Sequence, residues 1–212
     1  MKIIKIFLFN LSLLTILISS CNNNIQMKND FSYVYVLEAR NEGKKTSIGT
    51  CFYSNNIFYT NAHLITYKDL TDYLLYDDII AKDETNNITY NLNILSYDLS
   101  NDYAALVSSS KIDGGLNIVK NYDFKIGEDI FTIGNLNNYG LAYGYGKVTS
   151  NEKVINNSNY NITYVQTNIE ISGGNSGGPV FNINNEVIGI MSMKLVNNNE
   201  YVDGASFFVL IK

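Results

Sequence analysis

Gly173-Gly174-Asn175-Ser176-Gly177-Gly178-Pro179 sets a serine hydroxyl between paired glycines and closes on the chain's only proline. The pattern suits attack on a carbonyl. Gly174 has no Cβ, so its backbone can turn its amide towards the reacting centre. The amides of Gly174 and Ser176 would then form an oxyanion hole beside the nucleophile they flank. A serine needs a base. Imidazole titrates near neutrality, so it can take the hydroxyl proton and return it to a leaving amine. The chain has one histidine, His63, in Phe58-Tyr59-Thr60-Asn61-Ala62-His63, and no other imidazole can serve. It lies 113 positions ahead of Ser176, so only a long-range fold can bring the two together.

A general-base histidine needs a carboxylate to fix its tautomer and stabilise the imidazolium. Two candidates stand in Tyr97-Asp98-Leu99-Ser100-Asn101-Asp102-Tyr103-Ala104-Ala105-Leu106. Asp102 directly precedes an apolar run that would anchor it on a buried strand, where a charge needs a partner. Asp98, in the polar approach, reads as a turn or capping residue. Asp102 is therefore the expected third member.

The elements that would carry these residues are strands. Short apolar runs alternate with Asn, Asp and Gly, as in an all-β protein. Pro179–Ile183 and Glu186–Met191 flank Asn184-Asn185, a pair that tolerates the positive φ of a tight hairpin. Ile88–Leu95, Asp129–Ile133 and Asn161–Gln166 have the same strand character, and Lys68–Leu75 could hold a short helix. The chain is 46% hydrophobic, enough to bury a sizeable core.

These local patterns come in an order that resembles trypsin-like serine proteases, specifically the bacterial HtrA/DegP type. Thr60-Asn61-Ala62-His63 is similar to that family's histidine motif. Asp98 to Leu106 is similar to its acidic segment, which implies Asp102 as the triad aspartate. Gln166-Thr167-Asn168 followed by Gly174–Pro179 is similar to its nucleophile block. Lys125-Ile126-Gly127-Glu128, Ile133-Gly134-Asn135, Gly146–Ser150 and Glu186–Ile190 extend the likeness over roughly residues 46–210. The resemblance implies two six-stranded β-barrels, with His63 and Asp102 on the first (31–112), Ser176 on the second (113–212) and the active site in the cleft between them.

The sequence departs from that pattern at Asn168, where aspartate is usual, at Cys51, normally glycine, and at Leu136-Asn137, often Pro-Phe. None is a triad position. Glu170, six before the nucleophile, falls where trypsin-like enzymes line the base of the specificity pocket. A buried carboxylate there would favour basic P1 residues. Alternatively Glu170 faces solvent and Ile171 with Met193 forms an apolar pocket, as the HtrA resemblance implies; Ser192 completes the substrate-binding candidates. A third reading, acidic P1, would need a cation in place of the histidine that glutamyl endopeptidases use, and Lys194 is the candidate. The sequence stops at Lys212, after the last expected strand, so no PDZ domain and no peptide gating through one are expected.

At the other end, Met1–Lys5 is basic, Ile6 to Leu17 is largely apolar, and Ile18-Ser19-Ser20-Cys21 reads as a bacterial lipobox. The expectation is a signal peptide over 1–20, a lipidated Cys21, a polar tether over 21–30 and a place in the cell envelope. The apolar run is short for a membrane span and is interrupted by Asn10, against an uncleaved anchor. Losing Lys2 and Lys5 with the leader lowers the formal net charge of −5 by two, to −7. That acidity, without clustered Lys or Arg, argues against nucleic acid as a partner. With Cys21 lipidated, Cys51 has no disulfide partner and is expected to be a small buried apolar residue. One His and one free Cys make no ordinary zinc site, so no metal or cofactor is expected. The implied partners are polypeptide substrates and the membrane, with a homo-oligomer open. Two function classes stand: a lipid-anchored serine endopeptidase acting on exposed or unfolded polypeptide, with envelope quality control as its matching role, and a non-catalytic surface lipoprotein that keeps the fold for binding. The intact set His63, Asp102, Ser176 and Gly174 favours the first.

Overall fold

The computed structural model describes residues 31–212 apart from 43, 71, 158–159 and 198–199. The leader, the lipobox with Cys21 and the tether therefore lie outside the described residues. Strands come first and nearly alone: β1 (Val34–Asn41), β2 (Lys44–Ser54) and β3 (Ile57–Thr60), then a single helical turn, α1 (Ala62–Ile65). A hairpin of β4 (Thr66–Asp69) and β5 (Asp72–Leu75) follows, then β6 (Asp78–Asp83), β7 (Ile88–Asn91), β8 (Asn93–Asp98) and β9 (Tyr103–Val107). The second half holds β10 (Asp129–Asn135), a 3₁₀ turn (Leu136–Asn138), β11 (Leu141–Lys147), β12 (Lys153–Asn157), β13 (Tyr160–Thr167), β14 (Pro179–Phe181), β15 (Val187–Asn197) and β16 (Glu200–Leu210).

Two antiparallel sheets result, ordered β7-β6-β1-β2-β3-β9-β8 and β11-β10-β14-β15-β16-β13-β12. Each has seven strands by hydrogen-bond pairing where six were expected. Ile88–Leu95, expected as one strand, breaks at Leu92, whose N–H turns to the Ile79 carbonyl at 2.9 Å, and β7 and β8 become edge strands at opposite ends of the first sheet.

Period-two alternation explains why so many strands are apolar on both faces. Cys51 and Tyr53 point into the core of the first sheet with Leu37, Phe58 and Leu106. Phe52, between them, points the other way and meets Phe131, Ile133, Tyr164 and Phe207 of the second sheet. In the second sheet, Ile130 and Phe208 face its own core with Ile188 and Met191, while their neighbours Phe131 and Phe207 face the first sheet. This shared apolar layer holds the two sheets together. Burying a side chain such as Phe52 there stabilises the fold by about 1.5–3 kcal/mol.

The helix expected over Lys68–Leu75 is a hairpin instead, with Tyr67 opposite Leu74 and Lys68 opposite Tyr73. Leu70 takes a left-handed φ of 52°, which ends any helix. Tyr67 stacks on Tyr76 with ring centroids 5.0 Å apart, a contact that the extended chain supplies. The β14–β15 hairpin turns at Asn184-Asn185 as expected, with Asn185 at φ 60°. Cys51 is free and fully buried, and burial pushes its thiol far up from the usual range, which makes it unreactive.

Candidate functional site

His63 sits in the first turn of α1, directly after β3. Its Nδ1 lies 2.9 Å from both carboxylate oxygens of Asp102, and its backbone N–H donates to Asp102 Oδ1 at 3.1 Å. Asp102 stands just before β9 in a left-handed conformation, φ 49°, and is 4% exposed. A third donor completes its shell: Ser192 Oγ donates to Asp102 Oδ2 at 2.5 Å. The carboxylate therefore holds Nδ1 as the protonated ring nitrogen and leaves Nε2 free to accept a proton. Burial pulls the imidazole pKa down, but the Asp102 charge and hydrogen bond act in the opposite sense and the net position is above the ordinary 6.5. The ring keeps 43% of its side-chain surface exposed, so a substrate could reach it.

Asp98 does not join this group. Its Oδ1 accepts from the Ser100 N–H and hydroxyl, and its Oδ2 from Asn101 Nδ2. Those bonds, first among them the Ser100 hydroxyl, hold its pKa below the usual value. It shapes the turn that carries Asp102.

Ser176 lies in the loop before β14. Among the described residues its Oγ makes no hydrogen bond to His63; it donates to the Ser192 carbonyl at 2.6 Å. The surrounding loop is fixed from several sides. Asn137 N–H donates to the Gly173 carbonyl at 2.8 Å. The Gly173–Gly174 peptide is trans, so its N–H must point away from that contact. Thr50 Oγ1, fully buried, accepts from Asn135 N–H at 2.9 Å and donates to the Gly174 carbonyl at 2.7 Å. Thr50 N–H donates to the Ser176 carbonyl at 2.8 Å. Among the described residues, neither Gly174 N–H nor Ser176 N–H has a protein acceptor. Two neighbouring amides without partners beside a hydroxyl can receive an oxyanion. Glycine is required at 174, where φ is 98° and a Cβ would lie 2.1 Å from the Asn135 carbonyl oxygen.

The specificity candidates separate. Ile171 is 6% exposed in the core of the second sheet, and Met193 packs against the layer between the sheets. The Glu170 side chain is 63% exposed and ion-paired with Lys194 Nζ at 2.6 Å. Lys194 is itself only 8% exposed and also faces Asp203 at 3.6 Å. The Lys194 hydrogen bond holds the Glu170 pKa down, and the same bond raises Lys194. Beyond the pairing of Pro179 with Ile190, the described β15 residues that are paired, from Met193 onward, face β16, and Ser192 falls in a bulge between Met191 and Met193. Their other edge is open to an extended chain.

Reading the sequence alone missed three contributors. Ser192 was expected to touch substrate, not the Asp102 carboxylate; a lone hydroxyl within the apolar run Ile188–Met193 was its only signal. Asn61 was read as part of the histidine motif without a role of its own, and Thr50 was not singled out. Among the described residues no cluster of His, Cys, Asp and Glu could hold a metal ion.

The sequence profile of the trypsin-like peptidase domain matches residues 48–190. A probable periplasmic serine endoprotease DegP-like from Hahella chejuensis is 28% identical over 172 residues, 80% of this chain and 34% of that protein. Its namesake from a Marinomonas species is 30% identical over 176 residues, 79% of this chain and 34% of that protein. The chain thus spans about a third of the length of these curated relatives. Among solved structures, the HtrA-type protease AlgW with a tripeptide superposes with a TM-score of 0.69 at 20% identity, over 84% of this chain and 56% of that one. An inactive form of Rv3671c from M. tuberculosis gives 0.67 at 16% identity, over 84% and 80%. These two likenesses establish the fold.

Proposed function

Because the chain belongs to the trypsin-like peptidase domain family and is of the HtrA type, we propose that it is a serine endopeptidase that hydrolyses peptide bonds of exposed or unfolded polypeptides. The observation that carries this reading is the buried Asp102 carboxylate on His63 Nδ1, in the same site as a serine flanked by two amides without acceptors. Attack requires Ser176 Oγ to leave the Ser192 carbonyl and reach His63 Nε2. Nε2 then takes the hydroxyl proton as Oγ bonds to the scissile carbonyl carbon, and the amides of Gly174 and Ser176 take the negative oxygen. The imidazolium returns the proton to the leaving amine, which leaves an acyl-enzyme. Water, deprotonated by the same nitrogen, releases the acid and restores Ser176. The substrate backbone would add to the open edge of β15 at Ser192 and Met193.

One observation favours the non-catalytic alternative: the Ser176 hydroxyl is engaged by Ser192 and not by His63. Treatment of the purified protein with a fluorophosphonate probe separates the two. Covalent labelling that disappears in Ser176→Ala is the expected result; an unlabelled wild-type protein would leave only the binding role.

The specificity pocket is proposed to be apolar, lined by the partly buried Met193 rather than by Ile171, which lies in the core of the second sheet, because Lys194 already engages the exposed Glu170 carboxylate. A peptide library should give Val, Ala and Ile at P1, unchanged in Glu170→Ala. Dominant cleavage after Lys or Arg, erased by that substitution, would reverse the assignment. The periplasmic naming of the relatives supports an envelope location, and the sequence around Cys21 supports anchoring by lipid, with quality control of envelope proteins as the matching role. Metabolic labelling with a palmitate analogue should mark the wild-type chain and not Cys21→Ala; a label that persists there would refute the anchor.

A further inference from the structure

Asparagine is a favoured N-cap because its side chain satisfies a free amide of the first helical turn. Asn61 is the N-cap of α1, in an extended conformation with φ −82° and ψ 147°, yet its side chain makes no capping bond. The Asp102 carboxylate takes that place by accepting the His63 N–H. The Asn61 amide is fully buried and bonds in two other directions. Nδ2 donates to the Asp102 carbonyl at 2.9 Å. Oδ1 accepts from the Gly177 N–H at 2.7 Å, an N–H also shared with the Met191 carbonyl at 2.8 Å.

The consequence is geometric. Asn61 stands two residues ahead of His63, bonds the main chain of Asp102 and bonds the residue after Ser176, so one side chain links all three triad positions. Asp102 and Gly177 both have positive φ, 49° and 85°, and their peptide groups are oriented by such local contacts. The Met191 bond holds Gly177 within its own sheet; the Asn61 bond ties it to the other. The two partners need a donor on one side and an acceptor on the other, which a carboxamide supplies and neither a carboxylate nor an alkyl group does.

We propose that Asn61 is a positioning residue that sets Ser176 against the His63–Asp102 pair across the two sheets, an inference that rests on the serine-protease reading. Its loss frees the Asp102 carbonyl and cuts the tie to Gly177, so attack geometry and the Asp102–His63 contact loosen together.

The test compares wild type, Asn61→Ala, Asn61→Leu and Asn182→Ala as purified proteins. Asn61→Leu roughly keeps the buried volume. Asn182 is equally buried, and its amide bonds Asn184 and Glu186 in the β14–β15 turn and the Tyr122 side chain, none of them a triad position, so it controls for a merely structural loss. Both Asn61 variants should react with a fluorophosphonate about 10²-fold more slowly than wild type, the scale of a small misplacement of reacting groups. Because the chain has one histidine, NMR titration reads His63 without ambiguity, and its raised pKa should fall towards 6.5 in both variants. Asn182→Ala should change neither. Wild-type labelling rates and an unmoved His63 titration in the Asn61 variants would overturn the proposal, as would equal losses in Asn182→Ala. If wild type itself does not label, the protease reading fails, and the imidazole titration still decides the role of Asn61.

Discussion

Ser176→Ala and His63→Ala are each expected to lower kcat by a factor on the order of 10⁴ or more, with the double variant little worse than either. The nucleophile and its base perform one step, so removing either removes the step. His63→Ala is the sharper test, since the chain contains a single histidine and no second imidazole can take over. Steady-state kinetics on an unstructured polypeptide substrate would measure both, and substantial proteolysis by His63→Ala would dispose of the assignment. The pH profile follows from the same residue. Attack requires neutral imidazole, so kcat/KM should fall as the pH drops through the His63 pKa. Asp102 holds that pKa above the ordinary 6.5, so the acid limb should be centred above 6.5, and Asp102→Asn should shift the titration of the ring downwards.

Asp102→Asn should also cost about four decades in kcat, because an amide favours the wrong imidazole tautomer. The geometry sharpens this expectation. The carboxylate accepts from the His63 N–H, His63 Nδ1 and Ser192 Oγ at once, whereas an asparagine there would point an NH₂ group at one of those donors. Asp98→Asn keeps an acceptor for the Ser100 N–H and should leave kcat nearly unchanged, with a stability cost of about 1 kcal/mol. Parallel kinetics and denaturant unfolding of the two variants separate the roles. Comparable losses of kcat in both would remove Asp102 from its special place.

Ser192 connects these two expectations. Its carbonyl holds the Ser176 hydroxyl and its hydroxyl holds the Asp102 carboxylate. Ser176 and Asp102 are thus joined through Ser192 of β15. On this geometry, a substrate adding along the open edge of β15 would reach the strand from which Ser176 must swing to His63.

Much of the chemistry was legible in the chain because it is encoded locally. A glycine at 174 is demanded by a φ of 98° and by the Asn135 carbonyl beside it, and that demand leaves a visible mark in the string. The turn at Asn184-Asn185, the alternation of strands and the choice of Asp102 over Asp98 as the buried carboxylate are local in the same sense. Lys68–Leu75 was misread for a related reason: eight residues carry little periodic signal, and the left-handed Leu70 with the Tyr67–Tyr76 stack decided the hairpin.

What the tertiary structure alone decided are the pairings between distant segments. Period two tells which face a residue occupies but not which strand lies opposite. Nothing around Glu170 announces that Lys194, 24 residues on, would take its carboxylate. Nothing around Asn61 announces a bond to Gly177, 116 residues away. Backbone conformation is set by each residue and its neighbours, so the sequence determined the glycine turn around Ser176 and singled out His63 and Asp102 as the residues to look for beside it. The partners of buried polar groups are set by whichever donor or acceptor the packed sheets bring within about 3 Å, so only the fold determined where the Ser176 hydroxyl rests and what holds the site together.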